Sequence, residues 1–195
     1  SEIISESDLP ETLNPLNLVL LLATKQKSGI HTNLPLFGID DGIFEQHDDV
    51  PGLITKKENR VQLLAKLELP NEGIIWDIGA GGGSIGLEAL RIRPKLKLLS
   101  IDKRIGTKFL IEKNSDRLGV KPKLIIEAEA IDYINANTIP KELSSPDRVI
   151  IGGGGENRII LLRTIIQKMA YGGIIVIPLI TIEAISDLRD YLSGE

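Results

Sequence analysis

The stretch IIWDIGAGGGSIGLEAL, residues 74–90, joins an apolar segment to a run of glycines and then to a helical pattern. Bulky apolar residues lead into Asp77, as in a buried strand, and apolar residues recur after Ser84 with helical spacing. A strand that turns through glycines into a helix presents backbone N–H groups at the positive end of that helix, where many proteins bind nucleotides. The stretch therefore predicts a nucleotide-binding turn in an α/β domain, and the next question is which nucleotide it binds.

Two glycine spacings overlap in this turn and indicate different chemistries. Gly79, Gly81 and Gly83 fit G-x-G-x-G, the spacing usual in methyltransferases that use S-adenosylmethionine (SAM). Gly81, Gly83 and Gly86 fit G-x-G-x-x-G, the dinucleotide pattern. Because a glycine pattern alone discriminates poorly, the acidic residues around it decide between the two.

Two aspartates flank the turn. Asp102 ends the segment LLSID about twenty residues further on, where a carboxylate accepts hydrogen bonds from the ribose hydroxyls of either cofactor. Asp77 lies two residues before the first glycine, so it can face the ammonium of a methionine moiety and would repel a pyrophosphate. These positions favour SAM over NAD. The structural alternatives are that Asp77 is the N-cap of the following helix and that Asp102 is a solvated strand end. In EAEAIDYI, Glu129 and Ala130 are expected to line an adenine slot.

The composition argues against several classes of protein. The 195 residues are 42% apolar and 26% charged, an ordinary globular balance for one domain with a full core. A net charge of −4 and 4% aromatic residues argue against a nucleic-acid surface. With no Cys and two His, the sequence predicts neither a thiol nucleophile nor a metal site. The apolar run LNLVLLLAT is about half a membrane span, so we expect no membrane contact and a soluble, cytoplasmic-type protein.

From Phe37 onward, short Ile-rich strands alternate with helical patterns. Helices are predicted over 56–67 (with Thr55 as N-cap), 84–92, 106–118, 131–135, 156–169 and 182–192. Strands are predicted over 74–78, 96–101, 123–127, 148–151 and 174–177. Strands without alternation are typical of a parallel sheet covered on both faces, so the pattern predicts a doubly wound, mostly parallel α/β fold. Residues 1–35 are predicted to be an N-terminal extension and residues 36–195 the folded domain.

With these residues in view, the chain from about Phe37 resembles the corrin-ring methyltransferases of cobalamin biosynthesis. The matching segments, in family order, are FGIDDGIF, VPGLITKKENR, WDIGAGGGSIGLEA, SIDK, AEAIDYI and PDRVIIGGGGE. The resemblance is to the decarboxylating type that also forms the C-terminal domain of precorrin-6Y C(5,15)-methyltransferase. It implies a class I SAM-dependent methyltransferase fold (Rossmann-like) and methyl transfer from SAM to carbon 15 of a precorrin, with decarboxylation of the ring C acetate.

The resemblance, with the arguments above, gives a set of candidate ligand residues. The predicted cofactor residues are Thr55, Asp77, Gly79, Ala80, Gly81, Gly82, Gly83, Asp102, Glu129 and Ala130. A precorrin carries many carboxylates, so local basic groups must bind it in a chain that is acidic overall. The predicted substrate contacts are Arg60 and Arg158, supported by Lys56 and Lys57 and by the backbone N–H groups of Gly153 and Gly154. The alternatives are solvated helix faces and a flexible glycine turn.

Glu156 and His47 are the candidate catalytic residues. Glu156 is a candidate proton handler or substrate contact, with a helix N-terminal charge as the alternative. A sulfonium methyl group is already strongly electrophilic, and decarboxylation can supply electrons to the ring. The mechanism therefore requires alignment more than a strong base.

The resemblance also predicts how the chain associates. The leader PLNLVLLLATK resembles the tail of the methylase that precedes this domain in fused enzymes, which predicts a second methylase domain in the full-length protein. The family continues into an antiparallel strand pair that we expect to be missing here, leaving GGIIVIPLIT as an apolar sheet edge. Together these predict a homo-oligomer, a tetramer in the family. The alternatives left open are a SAM methyltransferase acting on another small molecule or on RNA, an NAD-binding oxidoreductase, and a non-catalytic SAM-binding module.

Overall fold

The computed structural model describes residues 34–47, 54–152, 155–179 and 181–194, except for the side chain of Glu156. The helices in these ranges are α1 Lys57–Lys66, α2 Ser84–Ile92, α3 Thr107–Leu118, α4 Ala130–Asn135, α5 Arg158–Ile166 and α6 Ile182–Ser193. The strands are β1 Glu72–Ile78, β2 Lys95–Asp102, β3 Leu124–Glu127, β4 Arg148–Ile151 and β5 Ile174–Val176. Short 3-10 turns lie at Asp41–Ile43, Lys141–Leu143 and Gly155–Asn157.

The five described strands form one parallel sheet in the order β3-β2-β1-β4-β5. Strand β1 lies at the centre, where Asp77 is opposite Ser100 of β2 on one side and Ile150 of β4 on the other. The chain moves outward from β1 to β3 and then returns to β4, so the order reverses between β1 and β4. Ligands of such sheets bind at the carboxyl ends of the strands beside this switch point.

Neighbouring residues of β1 enter two separate cores, because helices cover both faces of the sheet. Ile75 packs in a core with α1, α2 and α3, which contribute buried residues such as Leu64 and Ile111. Trp76 packs in a second core with α4, α5 and part of α6. Its indole N–H donates to the carbonyl of Leu143 at 2.8 Å, which satisfies the polar atom of a fully buried side chain. The predicted doubly wound parallel sheet is confirmed.

The observed elements begin and end within two residues of the predicted ones, except that α5 ends at Ile166. The prediction of Thr55 as N-cap of α1 is wrong, because the cap residue is Lys56 and no side chain caps this end. The carbonyl of Thr55 instead accepts a hydrogen bond from the Arg60 guanidinium, which holds it just before the helix. None of the helices in the described ranges is long and apolar enough to cross a membrane. The predictions for residues 1–33 lie outside the described residues.

Candidate active site

A cleft of about 1020 Å³ opens at the carboxyl ends of the strands, beside the switch point. Its lining includes the glycine turn after β1, the residues that follow β2 and β3, and Gly152 after β4. Residues of α1 and of the chain just before it line a further side. The cleft therefore lies where the parallel sheet predicts a ligand.

The backbone of the turn requires glycine at the positions of the G-x-G-x-G pattern. Gly79, Gly81 and Gly83 have φ angles of 73°, 54° and 77°, a region that L side chains rarely adopt. The N–H of Gly83 donates to the carbonyl of Ala80 at 2.8 Å and closes the turn. The N–H groups of Gly79 and Ala80 both donate to the carbonyl of Ile101, so the turn is fixed to the end of β2.

Gly86, which completes the dinucleotide pattern in the sequence, allows close packing of α2 against the sheet. A Cβ at this position inside α2 would lie 2.8 Å from Asp77 Oδ2 and 2.9 Å from the side chain of Leu98. Its N–H donates to Asp77 Oδ2 at 3.0 Å. Packing is also the role of the third glycine in the dinucleotide pattern, so Gly86 does not discriminate between the two cofactors.

Asp77 is buried, yet it contributes to the cleft lining. Burial raises the pKa of its carboxyl to about 7, the hydrogen bond from Gly86 opposes that rise, and the charge of Asp102 adds to it. The alternative of Asp77 as the N-cap is wrong, because Gly83 is the N-cap residue, but the carboxylate does accept from the third residue of α2. The contact with a cofactor ammonium stays a prediction, and a cation at this position would offset the desolvation of the carboxylate.

Asp102 faces the glycine turn from the end of β2. Its Oδ2 accepts from the N–H of Gly81 at 2.8 Å, and its Oδ1 accepts from the N–H of Arg104 at 2.9 Å. The side chain is 5% exposed, so the alternative of a solvated strand end is wrong. Each carboxylate oxygen keeps a second lone-pair site, and the residue lines the cleft. Asp102 therefore shapes the turn and can still accept hydrogen bonds from two hydroxyls.

The remaining predicted cofactor residues lie around the same cleft, with one exception. Glu129 and Ala130 follow β3 and line the cleft beyond Asp102, and the carboxylate of Glu129 pairs with the Lys103 ammonium at 3.1 Å. The predicted residues that the cleft brings together are Thr55, Asp77, Gly79, Ala80, Gly81, Gly82, Asp102, Glu129 and Ala130. Gly83 is buried as the N-cap of α2 and is not part of the lining.

The prediction that Arg60 binds substrate is wrong. Its side chain is fully buried, and its Nε donates to Glu88 Oε1 at 2.6 Å. The other guanidinium nitrogens donate to Asp41 and to the carbonyls of Thr55 and Ile39. Glu88 is equally buried and accepts two backbone N–H groups from residues 38–39. The pair ties the chain before α1 to α2, and Arg60, which is fully buried with four of its five N–H donors bonded inside the protein, does not line the cleft.

Of the four basic residues predicted at this edge, Lys56 lines the cleft and the others do not. Lys57 points to Asp40, with Nζ 3.2 Å from the carboxylate. Arg158 is the first residue of α5 and is half-buried, and its Nε has no hydrogen-bond partner among the described residues. The prediction that Arg158 contacts substrate stays a prediction without support from the cleft lining.

The two candidate catalytic residues are not placed at the cleft by the described atoms. His47 Nε2 lies 3.1 Å from Thr107 Oγ1 at the start of α3, and His47 is not part of the cleft lining. Glu156 lies in the 3-10 turn before α5, but its side chain lies outside the described residues, as do Gly153 and Gly154. The glycines on either side, Gly152 and Gly155, do line the cleft.

Sequence reasoning missed Asn114, a buried residue of α3 that supports the turn. Its amide N–H₂ donates to the carbonyls of Gly82 and Glu45, and its Oδ1 accepts from the N–H of Glu45 at 2.7 Å. A Cβ on Gly82 would lie 2.9 Å from the Glu45 carbonyl oxygen, so this glycine allows two backbones to meet. Asn114 could have been found as a polar residue on the buried side of α3, but only once it was known which side of the helix is buried. Asn59 and Gln62 of α1 line the cleft and were also missed.

Comparison with known proteins gives the family. The family profile described as precorrin methyltransferase domain matches residues 44–193, a range that contains the glycine turn and Asp102. This chain belongs to the precorrin methyltransferase domain family. Within a methyltransferase family the alternative of an NAD-binding oxidoreductase is set aside.

Relatives of the precorrin methyltransferase domain cover most of the chain. A Pyrobaculum aerophilum protein named "probable cobalt-precorrin-6B C(15)-methyltransferase (decarboxylating)" is 34% identical over 159 residues, 80% of this chain and 77% of that protein. The precorrin-6Y C(5,15)-methyltransferase [decarboxylating] of Sinorhizobium sp is 32% identical over 181 residues, 92% of this chain but 40% of that protein.

Solved structures confirm the class I methyltransferase fold. A precorrin-6Y C5,15-methyltransferase from Geobacter metallireducens superposes with a TM-score of 0.71 at 27% identity, over 83% of this chain and 81% of that one. A precorrin 8W decarboxylase from Methanobacterium thermoautotrophicum gives 0.68 at 25% identity, over 80% of each chain. The more distant O-methyltransferase TomG of Streptomyces achromogenes, solved in complex with SAM, shares the fold with a TM-score of 0.64 at 16% identity, over 75% of this chain and 73% of that one.

Proposed function

We propose that this chain is a SAM-dependent C-methyltransferase of cobalamin biosynthesis. It methylates carbon 15 of a precorrin and couples the transfer to loss of the ring C acetate carboxyl group as CO₂. The observation that carries the proposal is the meeting of the G-x-G-x-G turn, Asp77 and Asp102 in one cleft of a precorrin methyltransferase domain. The printed names of two relatives describe decarboxylating methyltransferases that act on such substrates.

The described residues fit SAM. A Cβ on Gly81 would meet no atom within 4 Å, so this side of the turn is open to a ligand. Asp102 keeps two lone-pair sites for ribose hydroxyls, and Ala130 lines the cleft beyond it. Asp77 lines the cleft and offers a carboxylate to an ammonium. The same carboxylate would repel a pyrophosphate, so it suits an amino acid moiety better than a dinucleotide.

The chain contributes alignment and exclusion of water. Bound SAM supplies an electrophilic methyl group, and the reaction needs that group in line with the attacking carbon. Asp102 and the turn hold the ribose, and Asp77 holds the amino acid end. Loss of CO₂ leaves an electron pair in conjugation with the ring, which lessens the need for a base. We keep Glu156 as the proposed proton handler on the basis of its position after the glycine run.

The proposal extends to the whole protein. The full-length protein is proposed to carry a second methylase domain, and the Sinorhizobium relative, of which this chain matches 40%, supports that proposal. We also propose a homotetramer, as the resemblance implies, and a cytoplasmic location, as the composition of the sequence suggests. Light scattering of the purified chain at micromolar concentration tests the oligomer, and a monomer contradicts it.

Two measurements test the proposed function. Calorimetric titration with S-adenosylhomocysteine (SAH), with NADH as control, should show binding of SAH alone. Incubation with methyl-labelled SAM and a precorrin that retains its ring C acetate should then release CO₂ in step with label transfer. Label transfer to RNA or to an unrelated small molecule, without transfer to the precorrin, contradicts the proposed substrate. SAH binding without any transfer by the full-length protein indicates a non-catalytic module.

A further inference from the structure

One side of helix α1 carries polar residues into the cleft. Lys56, Asn59 and Gln62 follow one another at intervals of three residues, and all three line the cleft. We call them the polar stripe. The side-chain amides of Asn59 and Gln62 have no hydrogen-bond partner among the described residues, and Lys56 Nζ lies 3.9 Å from the nearest oxygen of Asp41. The stripe therefore offers donors to a ligand, with little competition from the protein.

The adjacent side of α1 fixes the orientation of the stripe. Arg60 and Leu64 are buried there, and the Arg60 guanidinium is bonded to Glu88 of α2. Because a buried ion pair of this kind allows little rotation of the helix, the polar stripe faces the cleft in a fixed register. A surface lysine on a mobile loop would lack this preorganisation.

The cleft extends beyond the predicted cofactor residues. Its volume of about 1020 Å³ is at the upper limit of the roughly 300–1,000 Å³ usual for small-molecule sites. The predicted cofactor residues account for the part around Asp102 and Glu129. The rest of the lining includes apolar residues on elements that cover opposite faces of the sheet, Leu63 of α1 and Leu161 of α5. Apolar walls with polar groups at one side suit a large ring with charged substituents.

The other cations of the described cleft lining, Lys103 and Arg104, follow β2 and do not lie on the α1 side. Lys103 pairs with Glu129 at 3.1 Å, and Arg104 Nη1 lies 3.9 Å from the buried carboxylate of Asp102. Both lie at the predicted ribose end of the cleft, after β2. Lys56 is therefore the cation best placed to meet a negative group on the α1 side.

We infer that the polar stripe binds the peripheral carboxylates of a tetrapyrrole substrate. Lys56 supplies a charge-assisted hydrogen bond, and Asn59 and Gln62 add amide N–H donors along the same side of the helix. This assignment rests on the proposed function, because it takes a polycarboxylate tetrapyrrole as the substrate. It replaces Arg60 with the cap residue four positions before it and with residues of α1 one position before and two positions after it.

The test compares variants of the stripe with a matched control. The probe is uroporphyrin, an octacarboxylate tetrapyrrole, titrated by fluorescence quenching into the whole chain in the presence of saturating SAH. Lys56→Ala should weaken porphyrin binding about tenfold or more, and a Lys56→Ala, Asn59→Ala, Gln62→Ala triple variant should weaken it further. Lys57→Ala, the control, removes a neighbouring lysine outside the cleft lining and should change the affinity less than about twofold. Melting temperature and SAH affinity should stay at the wild-type values in all variants.

Three results would overturn the assignment. These are wild-type porphyrin affinity in the triple variant, an equal loss in Lys57→Ala, which would indicate non-specific attraction, and no porphyrin binding by the wild-type chain. Failure of the proposed function has a different signature, namely a wild-type chain that does not bind SAH. In that case the porphyrin titration of the wild-type chain and the stripe variants still tests whether the polar stripe binds carboxylates.

Discussion

Replacing Asp102 with alanine removes a carboxylate that supports the glycine turn and, in the proposed function, holds the ribose of the cofactor. Without ligand, the N–H of Gly81 and that of Arg104 both lose their acceptor. A buried N–H left without a partner costs about 1–3 kcal/mol, but Gly81 is half-buried in the cleft and Arg104 is exposed, so water can replace part of each bond. We expect the free energy of unfolding to fall by about 1–2 kcal/mol. A carboxylate in solvent at a strand end, as the sequence alone allows, would cost far less.

The same substitution should also weaken cofactor binding, and this effect is measured separately from the loss of folding stability. Two ribose hydroxyls donating to one carboxylate contribute about 2–4 kcal/mol, so Asp102→Ala should weaken SAH binding about thirtyfold to a thousandfold. Asp102→Asn keeps one acceptor oxygen, which can still serve the N–H of Gly81 or a hydroxyl. It should therefore lose less affinity and less stability than the alanine variant.

Calorimetric titration with SAH, well below the melting temperature of each variant, measures the affinity without interference from unfolding. Circular dichroism before and after the titration checks that the variant is folded. Glu127→Ala is the matched control, because Glu127 ends β3 opposite Asp102 in the sheet but does not line the cleft. A folded Asp102→Ala variant that binds SAH with wild-type affinity would refute the placement of the cofactor at this turn.

Other substitutions in the same region have measurable consequences. Since burial raises the pKa of Asp77 from 3.8 to about 7, the folded state holds a proton that the unfolded state loses between these values. Stability in urea titrations should fall by about 4 kcal/mol as the pH rises from about 4 to about 7, and Asp77→Asn should flatten this slope. Glu88→Gln removes the buried carboxylate of the pair and leaves Asp41 as the one remaining counter-charge of Arg60 among the described contacts, so it should cost about 3 kcal/mol of stability in the same titrations. A Met pair at both positions should not restore this loss, because the backbone N–H groups of residues 38 and 39 would have no acceptor. Gly86→Ala places a methyl group against Leu98 and should lower stability by about 1–3 kcal/mol; an unchanged melting temperature would contradict the packing argument.

The order of elements could be predicted because each has a strong local signature. Strand β1 is a short apolar run that ends in a glycine turn, and α2 has apolar residues at helical spacing from Ser84 to Ile92. The bounds of α5, the helix after the glycine run, were harder to predict. A 3-10 turn at Gly155–Asn157 precedes the helix, which ends at Ile166. The helical pattern of the sequence continues past Ile166, whereas the observed helix ends there, before the turn that leads into β5.

The cofactor side of the cleft could be predicted because it depends on backbone. Glycines at positive φ and an aspartate at the end of the next strand are tied to the chain by neighbours in sequence or by the parallel register. Asp102 lies beside the turn because β2 pairs with β1 in that register. The burial of Asp102 could not be predicted, because it depends on contacts with the glycine turn that no sequence pattern records.

Predicting the proposed substrate contacts requires knowing which side of α1 faces the core. The sequence contains that information. Arg60, Leu64 and Leu67 are spaced as i, i+4 and i+7, so Arg60 lies on the apolar, buried side of its helix. Glu88 is likewise a single acid within the apolar run of α2. A charge on the apolar side of each of two successive helices predicts a buried pair, since neither can be desolvated alone. Lys56 is four residues before Arg60 and continues that spacing, so periodicity alone would bury it as well. It escapes burial because it is the cap residue before α1, with non-helical backbone angles and a side chain that is 56% exposed. The N-terminal end of the helix, which the sequence pattern placed one residue too early, is therefore what leaves Lys56 at the cleft.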